Sequence, residues 1–174
     1  MDQYQERYLE HIENKLNRKQ TKHSYSDKAR EILYEILLNR KSVRRFNSNK
    51  IDDKILDLLN YALETAPSSC NRKGIYYKEV SPEYAERVLV GGRNWVKNAN
   101  RVFFLFGAKE CYKNPKEVSY MPYLDAGFPA MIVYLLCEVH GIGCCFINPN
   151  KTEELDNQDY FVGAIAVGDY DHEV

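Results

Sequence analysis

The sequence predicts an α+β domain or three-layer sandwich rather than a barrel. Three observations lead there. Four short apolar runs read as strands, helical apolar stripes alternate with them, and no repeat, linker or low-complexity tract divides the chain. Its 174 residues suffice for one domain with a sizeable core.

The elements follow in order. Over residues 3–20, Tyr4, Tyr8, Ile12 and Leu16 recur every four positions in a highly charged background. That narrow stripe suits a helix packed across the body or a partner subunit, or a loosely held arm. Residues 1–25 are read as an N-terminal helical arm and 26–174 as the domain. Ser24 to Asp27 has capping-box spacing, and Ile32, Leu33, Ile36 and Leu37 then form a helical face. Asp52 and Asp53 favour the positive start of a second helix, whose stripe is Ile55, Leu58, Leu59, Ala62 and Leu63. Pro67 stops it.

Residues 75–80 read as a strand. Ser81 and Pro82 suit the cap and first position of a short helix ended by Gly91-Gly92. Residues 101–107, with the run Val102 to Phe106, read as a buried strand. Residues 109–124 are tyrosine-rich and irregular, and read as an exposed loop or substrate lid. A long apolar helix is expected from about Ala126 to Val139, with Pro129 in its first turn or at a kink and Gly141 as its left-handed cap. Residues 144–147 and 161–167 read as two further buried strands.

Composition narrows the function. A net charge of −1 gives no support to nucleic-acid binding by bulk charge. The five cysteines, Cys70, Cys111, Cys137, Cys144 and Cys145, are odd in number and irregular in spacing, which does not suit a disulfide framework. No C-x-x-C pair exists and the four histidines are scattered, so no metal site is expected. No signal peptide is read at the start, and no apolar run is read as approaching the ~20 residues of a bilayer span. The expectation is a cytoplasmic protein with free thiols and no membrane or nucleic-acid partner.

The chemistry concentrates in Arg40-Lys41-Ser42-Val43-Arg44-Arg45-Phe46, directly after the first helical face. Planar two-toothed guanidinium donors, an ammonium and a hydroxyl suit a phosphate, although basic residues also suit a helix's negative end. Ala66-Pro67-Ser68-Ser69-Cys70-Asn71-Arg72-Lys73-Gly74, Asp125-Ala126-Gly127, Gly141-Ile142-Gly143 and Ala164-Ile165-Ala166-Val167-Gly168 follow in that order. Taken singly, each has an ordinary reading. Pro67-Ser68-Ser69 reads as a helix stop, Gly141 as a cap, Asp125 as an N-cap and Cys144 and Cys145 as buried strand residues. His140 reads as a helix-end cation, and Trp95 and Phe106 as core.

Taken together, the five segments resemble the nitroreductase family of FMN-binding flavoproteins. Its members carry R-R-S-x-R-x-F, A-P-S-S-x-N-x-Q-P, D-x-G, G-L-G and a closing strand with glycine in this order. The resemblance implies a three-layer α/β/α sandwich with a mainly antiparallel central sheet, interlocked as a homodimer with FMN at the interface. Arg40, Lys41 and Ser42 would hold the phosphate and ribityl chain, with Arg44 by the pyrimidine edge. Pro67, Ser68, Ser69 and Asn71 would cradle the ring from the other subunit. The turn Gly141, Gly143, Cys144 would offer backbone groups to its edge. Lys73 and Gly74 stand where relatives have glutamine and proline, and Lys73 would add a cation or face water. Many relatives also carry a basic residue after the last strand, where this chain has Asp169-Tyr170-Asp171. The implied activity is reduction of nitroaromatic, quinone or related small acceptors by NAD(P)H through the flavin, with no catalytic acid or base from the protein. The alternatives are flavin-using dehalogenation, flavin breakdown, a non-catalytic flavin-binding protein, or a helical arm protein acting through residues 3–20.

Overall fold

The structure, a computed structural model, describes residues 24–114, 116, 118–153, 155 and 159–171. The expected helix at 3–20, and the arm up to residue 23, lie outside the described residues.

Helix α1 (Asp27–Asn39) begins at Ser26, whose hydroxyl accepts the Ala29 N–H at 3.2 Å; the cap is thus Ser26 and not Ser24. Helix α2 (Lys54–Thr65) follows, with Ile55, Leu58, Leu59 and Ala62 buried. Strand β1 (Ile75–Val80) leads to helix α3 (Pro82–Val88), with Ser81 as cap and proline in the first turn. Gly91 and Gly92 lie in a separate 3₁₀ turn just past α3. Strand β2 (Arg101–Gly107), helix α4 (Met121–Val139) and strands β3 (Gly143–Ile147) and β4 (Tyr160–Gly168) complete the described fold.

The four strands form one sheet in the order β1-β2-β4-β3, with every neighbouring pair antiparallel. Alternation along β2 divides the core. Phe103 and Leu105 join Ile165, Val167 and Cys144 under α2 and α4. Val102, Phe104 and Phe106 join Ala164, Ala166 and Ile147 under α3 and its following turns. Helices on both faces make three layers, as expected.

Two elements differ from their expected form. Helix α4 starts at Met121, so the irregular segment ends at residue 120, and within that segment Tyr112 is buried at 1% exposure. Pro129 therefore lies inside the helix and not in its first turn. The helix is also long and apolar enough, by length and composition, to cross a bilayer, contrary to expectation; its stripe Ala126, Ala130, Val133 and Cys137 is instead buried on the sheet. Helix α1 buries none of its residues: Ile32, Leu33, Leu37 and Leu38 are exposed, Leu38 at 83%. On α4, which packs against α1, Leu124, Phe128 and Met131 are exposed too. The apolar face read as a core face lines an uncovered surface.

An ion-pair cluster bridges the sheet to α2. Arg101 donates from Nε and Nη2 to the two Glu79 oxygens at 2.7 and 2.6 Å, and from Nη1 to Asp53 at 2.9 Å. The Arg101 hydrogen bonds hold the Glu79 carboxyl below its usual range, against a smaller opposing effect of burial. A carboxyl depressed in the folded state stabilises fully above its unfolded pKa, and that contribution disappears as pH falls through the folded value. Urea midpoints measured against pH should fall below about pH 4.5, and Glu79→Gln should flatten that fall. An equally steep acid limb in the variant would show that this pair carries none of it.

Candidate functional site

The basic turn is fastened to the sheet beside α4. Its middle residue, Val43, is buried, and its N–H donates to the Cys144 carbonyl at 2.9 Å. Ser42 Oγ lies 2.9 Å from the Tyr134 hydroxyl of α4, which also accepts the Phe146 N–H of β3 at 2.7 Å. The Arg40 guanidinium sits 5.1 Å from the centre of the Tyr134 ring, and the Lys41 ammonium 5.7 Å from that of Tyr170. Burial pushes the Tyr134 phenol up, so it stays protonated. Tyr134 was not legible as a site residue; in the sequence it is one more ring in an apolar helix.

Among the described residues no carboxylate pairs with Arg40, Lys41, Arg44 or Arg45. Four cations and a hydroxyl therefore share one short turn with no described carboxylate neutralising their charge, a donor set that fits a phosphate monoester.

The turn after α4 serves the same junction. Gly141 (φ +65°) closes the helix, with the Ile142 N–H donating to Cys137 O at 2.9 Å and the Gly141 N–H to Glu138 O at 3.2 Å, a paired cap that needs a left-handed residue. Gly143 is pressed by protein: a Cβ there would lie 2.9 Å from the Gly168 carbonyl oxygen and from Val43 Cγ1. The Cys144 side chain turns into the core. Its thiol is pushed well above the usual range, first by its hydrogen bond with Cys137 and then by burial. Burial raises the Cys145 thiol as well, opposed by Arg44, Tyr134 and Ser42.

The second predicted segment lies elsewhere on α4. Ser69 N–H donates to Asp125 Oδ1 at 2.8 Å, and the Tyr112 hydroxyl to Asp125 Oδ2 at 3.0 Å. Asp125 is 2% exposed and sits inside α4, so it is a buried clamp on two loops and not the expected N-cap. Burial and the Asp125 charge push the Tyr112 phenol far above its usual range. Ser68 Oγ accepts the Lys73 N–H at 3.0 Å, and Lys73 Nζ donates to the Glu64 and Ala66 carbonyls at 2.7 and 2.5 Å. The Lys73 ammonium thus caps the end of α2. Pro67 is exposed, and Cys70, Asn71 and Lys73 all have positive φ (52°, 52° and 48°). Three non-glycine residues in that region store strain of order 1 kcal/mol or more each.

The closing segment binds back to the basic turn. Asn47 N–H donates to the Asp169 carbonyl at 2.9 Å, while the Asn49 and Asn47 amides donate to the Asp169 and Asp171 carboxylates at 2.7 and 3.1 Å. The acids that stand where a cation was expected are tied to asparagines.

Asp125 and Tyr134 mark the two clusters, nine positions apart on α4. At 1.5 Å per residue that is about 13 Å along the axis. One chain carries the basic turn by one end of α4 and the strained loop by the other.

Solved structures with the same arrangement decide the fold. A nitroreductase family protein from Streptococcus pneumoniae TIGR4 superposes with a TM-score of 0.68 at 18% identity, over 82% of this chain and 92% of its own. The fold is that of the nitroreductases. An FMN-dependent nitroreductase from Clostridium difficile R20291 matches this nitroreductase fold at TM-score 0.63 and 23% identity, over 80% and 88%. CLA-ER, an enone reductase of gut-bacterial fatty acid saturation, matches at 0.68 and 20%, over 81% and 90%. No protein-family model matches the sequence, and no curated protein matches it.

Proposed function

We propose that the chain is an FMN-dependent oxidoreductase, active as a homodimer, that draws on NAD(P)H to reduce a nitroaromatic, quinone or related small acceptor. The observation that carries this reading is the basic turn: four cations that no described carboxylate pairs, and Ser42, fixed to β3, beside exposed apolar residues on α1 and α4.

Within a nitroreductase fold, Arg40, Lys41 and Ser42 would hold the phosphate and ribityl chain and Arg44 the pyrimidine edge. The guanidinium of Arg44, which no described carboxylate pairs, would favour negative charge building there. The Gly141, Gly143 and Cys144 turn holds the site through the Val43–Cys144 hydrogen bond, so its part is support of the basic turn. Pro67, Ser68, Ser69 and Asn71 would serve the site of the other subunit, with Lys73 fixing their loop to α2. The 13 Å separation favours this sharing, because a second copy covering α1 and α4 supplies one chain's turn with the other chain's loop. Bound FMN supplies hydride acceptance from the nicotinamide and hydride donation to the acceptor. The protein's own work is to bind, orient and exclude water; no residue is asked to move a proton.

Mass spectrometry of the small molecule released from protein purified without additives tests the reading, with FMN expected. Colourless protein that takes up no added FMN would overturn it. A second reading, a flavin-binding protein without turnover, is favoured by the acids Asp169 and Asp171 behind the basic turn. NADPH consumption with a quinone present separates the two.

A further inference from the structure

We infer that Tyr134 is the positioning residue of the phosphate site, orienting the Ser42 hydroxyl and the Arg40 guanidinium together; this rests on the flavin reading above. The phenol oxygen accepts the Phe146 N–H at 2.7 Å and lies 2.9 Å from Ser42 Oγ. A phenol has one hydrogen and donates more strongly than an aliphatic alcohol. Either hydroxyl could donate across this contact; the phenol is the stronger donor and already accepts from Phe146, which favours Tyr134 giving its hydrogen to Ser42. Ser42 then accepts from inside, and its own hydrogen is left to donate to an anion. The relay therefore runs from the β3 backbone through Tyr134 to Ser42, and it selects one of the two hydroxyl orientations before any ligand arrives.

The same side chain acts through its ring. Arg40 is the last-turn cap of α1, its N–H donating to the Ile36 carbonyl, and its guanidinium rests over the Tyr134 face at 5.1 Å. That stacking limits the rotamers of a long side chain which no described carboxylate holds. Burial, which raises the phenol's pKa, keeps the hydroxyl hydrogen in place through neutral pH.

The test compares FMN with riboflavin, which differ only in the phosphate, by flavin-fluorescence titration of wild type, Tyr134→Phe, Ser42→Ala and the double variant. Tyr134→Phe keeps the ring and its contact with Arg40. Its FMN dissociation constant should rise about fivefold while that for riboflavin stays within about twofold. In the Ser42→Ala background the same change should add little, because both remove one donor. A merely structural role would weaken both flavins alike; that result, or full additivity in the double variant, overturns the inference. A second measurement uses the wild-type chain. The Tyr134 hydroxyl proton, followed by NMR, should shift when FMN is added and stay in place with riboflavin; an equal response to both also overturns it. Wild-type protein that binds neither flavin would overturn the functional reading itself. Wild type that prefers FMN while Tyr134→Phe keeps the same preference would sink only the relay.

Discussion

The Asp125→Ala variant is expected to melt roughly 5–15 °C below the parent protein. Asp125 is 2% exposed and accepts from Ser69 N–H and from the Tyr112 hydroxyl. Alanine leaves both donors without this acceptor in a buried place, at about 1–3 kcal/mol each. The loss has a local consequence as well. The strained run from Cys70 to Lys73 keeps its positive φ values because its surroundings hold it, and Asp125 is one of those holds. Hydrogen exchange over residues 66–74 should therefore quicken more than over β2 and β4. Asp125→Asn keeps one acceptor oxygen but points an NH2 at the other donor, so it should recover only part of the stability. Calorimetry of the three proteins decides; equal melting temperatures would mean that the clamp carries no free energy.

The Arg40→Ala variant should bind FMN roughly 10- to 100-fold more weakly, the usual effect of losing a charge-assisted contact of about 1.5–3 kcal/mol. Its fold should be little affected. The arginine's backbone N–H still caps α1, and the lost stacking on Tyr134 is worth about 0.5–1 kcal/mol at such a site. The separation between large binding loss and small stability loss is the signature of a ligand cation. Unchanged affinity in a flavin-fluorescence titration would remove Arg40 from the site.

Where residues report on their own neighbourhood, the sequence was readable. Strands β1 and β2 span the expected residues because β-branched and aromatic runs are bounded by Gly74, Pro82 and the polar segment before Arg101. Ser81-Pro82 and Gly141 fall at their expected cap positions for equally local reasons. The start of α4 was missed because tyrosines hide the pattern, although Pro122 in the first turn is the signal that could have found it. Asp125 and Tyr134 were misread or overlooked because their partners come from far along the chain: Ser69 for one, Ser42 for the other. No local period encodes such pairings. Helix α1 illustrates a different limit. Its apolar spacing is the same whether the face meets its own domain or another molecule, so the pattern could not say which.

That helix also links shape to concentration. Thirteen residues are marginal as a helix in water when, among the described residues, only one side of them meets α4 and none is buried, since nucleation is costly and each added residue returns little. If a second copy provides the missing packing, as proposed, residues 27–39 should hold together in concentrated solution and fray on dilution. A protease would then cut this stretch sooner in dilute samples, while the sheet behind it resists equally at every dilution. Arg40, proposed above as a phosphate anchor, follows directly on that stretch as its cap, so dilution alone would then loosen the ligand's hold.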